Sequence, residues 1–167
     1  MASIYDDIRA ALETNLISVS GLPSVGWENV QFSPTTGTPY VKPRLIPTRR
    51  EPAVRGTNPQ MFYQGIYRVE CYVPEDQGPS AGDELADKII DAFEATTSIY
   101  YNNVTDLLLT EDEAFITLES GSRVLLNDVT YVSIRYAERE MAEIDGPFYM
   151  IPINIGWYLY AWFQSVQ

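Results

Sequence analysis

The chain of 167 residues carries a formal net charge of −12, contains no histidine and has one cysteine, Cys71. The lack of histidine excludes the Ser-His and Cys-His catalytic dyads and removes the commonest metal ligand. A single cysteine cannot form an internal disulfide or a cysteine-based zinc site, and we expect Cys71 in the core of a strand. The acidic total disfavours chain-wide binding to nucleic acid or to anionic membranes.

The remaining bulk features indicate one soluble domain of 167 residues. No apolar run is long enough for a transmembrane helix, and the first residues lack the basic and apolar regions of a signal peptide. We therefore expect neither enzymatic activity nor a bound cofactor or metal. A hydrolase that uses the carboxylates of Glu111, Asp112 and Glu113 remains an alternative, although such a run is more simply a solvated loop.

A first helix is predicted over Ile4–Ile17, where apolar residues recur at helical spacing. Ser3 and Asp6 form the S-x-x-D pattern of a capping box, in which each side chain accepts a hydrogen bond from a backbone N–H of the helix start. Gly21 and Pro23 then end the helical segment.

Extended segments follow the helix. Trp27–Phe32 is predicted as a short strand and Tyr40–Thr48 as a longer one. Pro43 and Pro47 interrupt the longer strand, and because proline cannot donate to a β-ladder, this strand is expected at an edge or with a bulge.

Met61–Val73 alternates clearly and is predicted as a strand with one buried and one mixed face, as in a sheet that partners partly cover. The polar, proline-containing segment 49–60 is predicted as a loop. Together the two strands are expected to form a long hairpin with a basic tip that carries Arg49, Arg50 and Arg55.

A second helix is predicted from Ser80 to about Thr96, with Ser80 and Asp83 as a second capping pattern. Its polar face is acidic and carries Asp83, Glu84, Asp87, Asp91 and Glu94. Positions 97–128 have no readable period, and we interpret them as an insertion into a single domain of residues 1–167.

Two long strands, Val129–Arg139 and Tyr149–Phe163, are predicted to close the chain as a hairpin through Asp145-Gly146-Pro147. In the first of them Val132, Ile134 and Tyr136 are expected on one face. The element order favours an α+β fold, a mainly antiparallel sheet with two helices packed on one face. The aromatic C-terminal strand is interpreted as core and subunit interface, and a carbohydrate-binding platform is the more distant alternative.

Charge is distributed unevenly along the chain. Six of the eleven basic residues lie between positions 42 and 68, whereas the following segment, up to position 94, is strongly acidic. A chain with one basic and one acidic zone can pair with copies of itself, and the simpler interpretation is that both zones are solvated faces.

Three segments resemble phage tail terminator proteins, the lambda gpU-like minor tail proteins of long-tailed phages. They are GLPSVGWENVQFSPTTGTPYVKPRLIP (21–47), YQGIYRVECYVPEDQGPSAGDELADKIIDAF (63–93) and YMIPINIGWY (149–158). The resemblance does not extend to positions 97–128, and its segments are structural, so it supplies no catalytic residue.

The resemblance implies a structural virion protein at the head-proximal end of the tail, made in the host cytoplasm. Such a subunit would form a homo-oligomeric ring, expected to be a hexamer, on the tail tube protein. The ring would end tube polymerisation, meet the head-tail connector or head completion protein, and let DNA pass without sequence specificity. Another head-tail joining, tail completion or tail tube protein remains the alternative within phage assembly.

Six residues are the candidate contacts with a partner or with DNA in the lumen: Arg49, Arg50, Arg55, Asp83, Asp87 and Asp91. The arginines lie on a segment too polar for a core, so they must face solvent, a protein partner or DNA. An acidic surface on the next subunit or on the tube ring is the first expectation, because the second helix offers three aspartates on one exposed face.

Overall fold

A computed structural model describes residues 3–56, 59–75, 78–100 and 131–162. In chain order its elements are α1 (Ile4–Ile17), β1 (Ser24–Val25), β2 (Tyr40–Pro52), β3 (Gln60–Pro74), α2 (Ser80–Ala92), β4 (Ser98–Tyr100), β5 (Tyr131–Arg139), β6 (Glu143–Asp145) and β7 (Phe148–Trp162). The strands form one sheet in the order β1-β2-β3-β7-β5-β4, with β6 beside β7. All pairs are antiparallel except β1 with β2, so the α+β prediction with a mainly antiparallel sheet is confirmed.

Helix α1 has the predicted bounds. Ser3 accepts from the backbone of Tyr5, and Asp6 accepts from the backbone of Ser3, which completes the predicted capping box. The apolar stripe of α1 is fully buried at Ile8, Leu12 and Leu16. Burial of each such side chain stabilises the fold by about 1.5–3 kcal/mol, so packing holds this helix in place more than its caps do.

Helix α2 departs from its predicted ends. Ser80 is already helical, Pro79 is the N-cap residue, and no side chain caps the start; the predicted Ser80–Asp83 capping pattern is therefore wrong. Asp83 instead accepts a hydrogen bond from Arg139 at 2.6 Å. The helix ends at Ala92 and not near Thr96, because Thr96 adopts a positive φ of 75° that no α-helix contains.

Strand β2 is longer than predicted and runs to Pro52, so the connection to β3 shortens to positions 53–59. The register between β2 and β3 shifts between Pro47 and Arg49, which confirms the bulge predicted from its prolines. The predicted strand Trp27–Phe32 is wrong. This segment is a turn, with Asn29 at φ 59°, and the short strand β1 precedes it.

Strands β5 and β7 pair as the predicted hairpin, with a two-residue turn of Gly146 and Pro147 between β6 and β7. The prediction that Tyr136 shares the face of Val132 and Ile134 is wrong. The register shifts between Ile134 and Tyr136, and this bulge turns Tyr136 to the opposite face, where its ring covers Gly156.

Both helices contribute to the same buried cluster, which covers one face of β2, β3, β7 and β5. The face carrying Tyr63, Tyr67 and Trp157 is thus the inner face of the sheet, and we call the opposite side the outer face. A smaller buried cluster of Tyr40, Tyr72, Phe148 and Met150 occupies one end of the outer face, with Phe32 packed against it.

Little of the predicted insertion at 97–128 can be assessed. Ser98–Tyr100 pairs antiparallel with Tyr131–Ser133 as strand β4, whereas positions 101–130, with the acidic run at 111–113, lie outside the described residues. The insertion therefore stays a prediction. Among the helices that the structure describes, none is both long and apolar enough to cross a bilayer.

Candidate partner-binding surfaces

The outer face consists of rows of residues that face one another across neighbouring strands. One row is Arg44, Arg68, Asn154 and Glu138; the next is Lys42, Glu70, Pro152 and then Glu140, whose backbone N–H donates to the carbonyl of Pro152. Charge therefore runs from basic on β2 to acidic on β5 and the segment after it. In the middle, Arg68 forms ion pairs with Glu70 at 3.4 Å and with Glu140 at 3.5 Å.

Four of the remaining cations have a partner carboxylate in the same chain. Within the described residues, ion pairs join Arg9 to Glu28, Arg49 to Glu51, Lys88 to Glu84 and Arg139 to Asp83. No ion pair is found there for Lys42, Arg44, Arg50, Arg55 and Arg135. Four of these five lie on β2 or in the segment that follows it. Positive charge without an ion-pair partner is therefore concentrated along the β2 side of the sheet.

The three candidate arginines do not all lie in the predicted loop. Arg49 and Arg50 belong to β2, and Arg55 lies in the connection, whose Thr57 and Asn58 are outside the described residues. Arg49 is 3.1 Å from Glu51, whereas the Arg50 guanidinium lies 5.6 Å from the centre of the Tyr63 ring. All three arginines are exposed, and Arg50 and Arg55 are the ones whose charge no carboxylate in the described residues offsets.

The three candidate aspartates lie on α2 at the i, i+4, i+8 spacing that places them on one side of the helix. Asp83 is half-exposed and held by Arg139 within the same chain. Asp87 and Asp91 are exposed and form no ion pair in the described part of the chain. Within the described residues no ion pair joins these aspartates to Arg49, Arg50 or Arg55.

An aromatic cluster lies on the outer face beyond the charged rows and joins Phe62 to two aromatics of the C-terminal strand. Phe62 contacts Tyr160 and Tyr158, with ring centres 5.0 and 6.2 Å apart. Tyr160 is 50% exposed, whereas Trp157, on the inner face, is 1% exposed. Trp157 is therefore a core residue and not part of a sugar-binding platform; the side chains of Trp162 and Phe163 lie outside the described residues.

Two side chains with nucleophilic groups, Cys71 and Tyr67, are buried in the hydrophobic core. Cys71 is fully buried, as predicted, and burial raises the pKa of its thiol to about 12, so little thiolate exists near neutral pH. Burial also raises the pKa of Tyr67, whose hydroxyl has no hydrogen-bond partner among the described residues. No group of three or more metal-ligating side chains occurs in the part of the chain that the structure describes.

A shallow groove of about 190 Å³ lies between the start of α2, the end of β3 and the Gly21–Pro23 turn. Its walls are mainly apolar, and the paired Glu84 and Lys88 stand among its lining residues. Small-molecule sites typically enclose roughly 300–1,000 Å³, so this groove is too small for a typical substrate or cofactor.

Comparison with known proteins identifies the family to which the chain belongs. A family profile described as "Phage tail terminator protein" matches residues 7–157. The chain therefore belongs to the phage tail terminator family, as the resemblance of its three segments predicts. No curated protein sequence matches the chain.

Solved structures support the fold. Eleven solved chains match, and one of them aligns over 96% of this chain and 98% of its own, with a TM-score of 0.62 and 18% sequence identity. Likeness at this identity establishes the shared architecture and no more. The family places the protein among the structural components of the phage tail that act in tail completion.

Proposed function

We propose that this protein caps the phage tail tube, ends tube polymerisation and forms a ring at the head-tail junction through which DNA passes. Membership of the tail terminator family over residues 7–157 supports this proposal. A homo-oligomeric ring, a hexamer by the resemblance, would have one face on the tail tube protein. Its other face would meet the head-tail connector or head completion protein, at the head-proximal end of the tail.

The observation that carries the proposal is the outer face of the sheet. In the described residues both helices pack on the inner face, and the outer face keeps half-exposed apolar residues such as Phe62, Ile66 and Tyr158 beside unpaired cations. A face that is neither fully polar nor covered is typical of a surface that a protein partner completes. Each copy of a ring uses two different patches for its two neighbours, and such heterologous contacts close when the rotation divides the circle.

The arginines at the far end of the β2–β3 pair are proposed to contact an acidic protein surface. Arg50 and Arg55 are the better candidates, because Glu51 partly neutralises Arg49. The acceptor is an acidic patch of the tube ring or Asp87 and Asp91 of the next copy, and Asp83 is the weaker choice because Arg139 occupies it. Contact of these arginines with DNA in the lumen is the second possibility. It ranks below a protein partner because arginines that face the phosphates would retain DNA and slow its passage.

Electron microscopy of the purified protein, alone and added to tail tubes, tests the proposed function. Single rings of uniform diameter, formed alone or only on tube ends, are expected. Long tubes formed by the protein alone would instead assign it as a tail tube protein. Light scattering that shows only a tight symmetric dimer at every concentration would contradict a ring former.

Charge reversal tests the role of the arginines. The triple variant Arg49→Glu, Arg50→Glu, Arg55→Glu should fold normally by circular dichroism, because all three side chains are exposed, and should attach poorly to tails. The matched variant with glutamine at the same positions removes charge without reversing it and should give an intermediate defect. The glutamine defect should deepen with added salt, because salt screens the attraction that remains. Infectious tails of normal length from the glutamate variant would show that these arginines are merely solvated.

A further inference from the structure

The free edge of β2 is closed to the addition of another strand. Residues on an antiparallel strand alternate between those hydrogen-bonded to the partner strand and those whose N–H and C=O point away from it. Leu45 points away from β3, because its N–H donates to Glu28 at 3.4 Å. Pro43 and Pro47 share its alternation and therefore also occupy outward positions, where they have no N–H to offer.

The bulge at Thr48 shifts this alternation, and a third proline follows the shift. Ala53 donates to Gln60 at 2.7 Å, so Glu51 is again bonded to β3 while Arg50 and Pro52 point outward. At the outward positions 43, 45, 47, 50 and 52, the N–H groups are thus reduced to those of Leu45, which donates to Glu28, and Arg50. Prolines at these positions remove no hydrogen bond between β2 and β3. They do remove the outward N–H groups that a strand of another chain would need to form a β-ladder with β2.

A neighbour that meets this side of the sheet must therefore bind it through side chains. The outer-face side chains of β2 include three cations, Lys42, Arg44 and Arg49, beside Tyr40, Ile46 and Glu51. Arg44 is exposed and has no ion pair in the described residues. Lys42 lies 5.4 and 5.3 Å from the ring centres of Tyr40 and Tyr72, which orient its charge without neutralising it. We call Lys42 and Arg44 the basic edge.

The opposite side of the sheet carries the complementary charge. Glu138, Glu143 and Asp145 face Asn154, Met150 and Phe148 across β7, and all three acids are exposed. None of them forms an ion pair within the part of the chain that the structure describes. We call Glu138, Glu143 and Asp145 the acidic edge.

An exposed apolar side chain accompanies the acidic edge. Met141 is 86% exposed and precedes Glu143 by two residues. Ile144 is 70% exposed but pairs with Tyr149, so it points to the inner side of the sheet, away from Glu143 and Asp145. A polar or charged rim around apolar residues is the composition of a protein–protein contact. The acidic edge therefore offers a neighbour both charge and buried area.

The two edges are too far apart to neutralise each other within one subunit. Three strand-to-strand spacings of about 4.8 Å separate β2 from β5, which gives roughly 14 Å. The Debye length is about 8 Å at physiological ionic strength, so each edge remains available to another molecule. Both edges also lie on the outer face, at opposite sides of the sheet. When a second copy is moved sideways and rotated, its basic edge can therefore meet the acidic edge of the first copy.

We propose that the ring of the proposed function closes by contact between the basic edge of one copy and the acidic edge of the next. The partner is a second copy of this chain, held by side chains and not by a continuous β-ladder. Opposite charges at every junction also orient the copies head to tail, because basic-to-basic and acidic-to-acidic junctions are repulsive. The inference rests on the proposed ring, and the experiments below separate failure of the inference from failure of the ring.

Cysteine cross-linking locates the contact. Cys71 is buried, and burial raises the pKa of its thiol, so the variant Arg44→Cys with Glu143→Cys can be treated with a short bis-maleimide, both alone and on tail tubes, with the unsubstituted chain as the control for Cys71. A ladder of cross-linked oligomers that ends at the closed ring is expected. The control Arg55→Cys with Asp87→Cys probes the alternative contact between the β2–β3 connection and α2. A ladder from the control but not from the edge pair would overturn the inference and keep the ring, whereas no ladder from either pair and no ring by microscopy would refute both.

Charge exchange tests complementarity. Lys42→Glu with Arg44→Glu makes both edges acidic, and Glu138→Lys with Glu143→Lys makes both basic; each variant alone should bind its own copies about tenfold more weakly or worse, a loss of about 1.4 kcal/mol. An equal mixture of the two, which allows alternating subunits, should assemble again, as should one chain carrying all four substitutions. Rings of normal affinity from either variant alone would overturn the inference.

Discussion

Replacing Gly156 by alanine should destabilise the fold through a single neighbour, the ring of Tyr136. A Cβ atom built on Gly156 would lie 2.6 Å from Cζ and 2.7 Å from Cδ1 of that ring, well inside van der Waals contact. The ring must move, and because it is half-buried it can do so only by losing packing. Such overpacking costs about 1–3 kcal/mol, against a total stability of about 5–15 kcal/mol.

Urea unfolding followed by circular dichroism measures this cost, and a double-mutant cycle with Tyr136→Ala identifies its source. In the Tyr136→Ala background the Gly156→Ala substitution should cost less than about 0.5 kcal/mol, since the three atoms nearest to the added Cβ all belong to the Tyr136 ring. Gly56→Ala is the matched control, because among the described residues, its chain neighbours aside, no atom lies within 4 Å of its added Cβ. Equal cost of Gly156→Ala in both backgrounds would refute the placement of Tyr136 over Gly156, and with it the β5 bulge that sets the outer-face rows.

Three further outcomes are expected. Native protein at pH 8 should leave Cys71 unmodified by a thiol reagent, because burial raises the pKa of the thiol to about 12; fast native-state labelling would contradict the packing around it. Ser3→Ala should reduce the free energy of unfolding by about 0.5–2 kcal/mol through loss of the α1 cap, whereas exposed Ser20→Ala should change it little. The hydrogen bond from Arg9 lowers the pKa of Glu28 below 4.5, so its contribution is present above that pH and is lost as the pH falls through the folded-state pKa. Glu28→Gln should therefore flatten acid unfolding in this range, and unchanged pH dependence would show that the pair does not stabilise the fold.

Periodic segments of the sequence predicted their elements well. Helix α1 and its capping box, the alternation of β3 and β7, and the burial of Cys71 follow from apolar spacing and local side-chain chemistry. These signals act over a few residues and depend little on the rest of the fold. The two prolines of β2 also predicted a bulged strand, since a missing donor restricts where a strand can pair.

Features that depend on another element were not predicted. The bulge that turns Tyr136 outward is set by pairing with Gly156 of β7, and no local pattern in β5 marks it. The three-residue spacing from Ser80 to Asp83 predicts a cap, whereas Arg139, 56 positions later, provides the actual contact of Asp83. The acidic edge of Glu138, Glu143 and Asp145 was missed for the same reason, because only the register places these acids on the side opposite Lys42 and Arg44.

The length of the tail tube is the measurement that tests the proposed function most directly. Tail tube protein should be assembled in the presence and absence of this chain, and also in phage that lack it, with tube lengths measured by electron microscopy. We expect tubes of fixed length, each carrying one ring at one end, when the chain is present, and overlong tubes without heads when it is missing. Tubes of the same length distribution with and without the chain would contradict its role as the terminator.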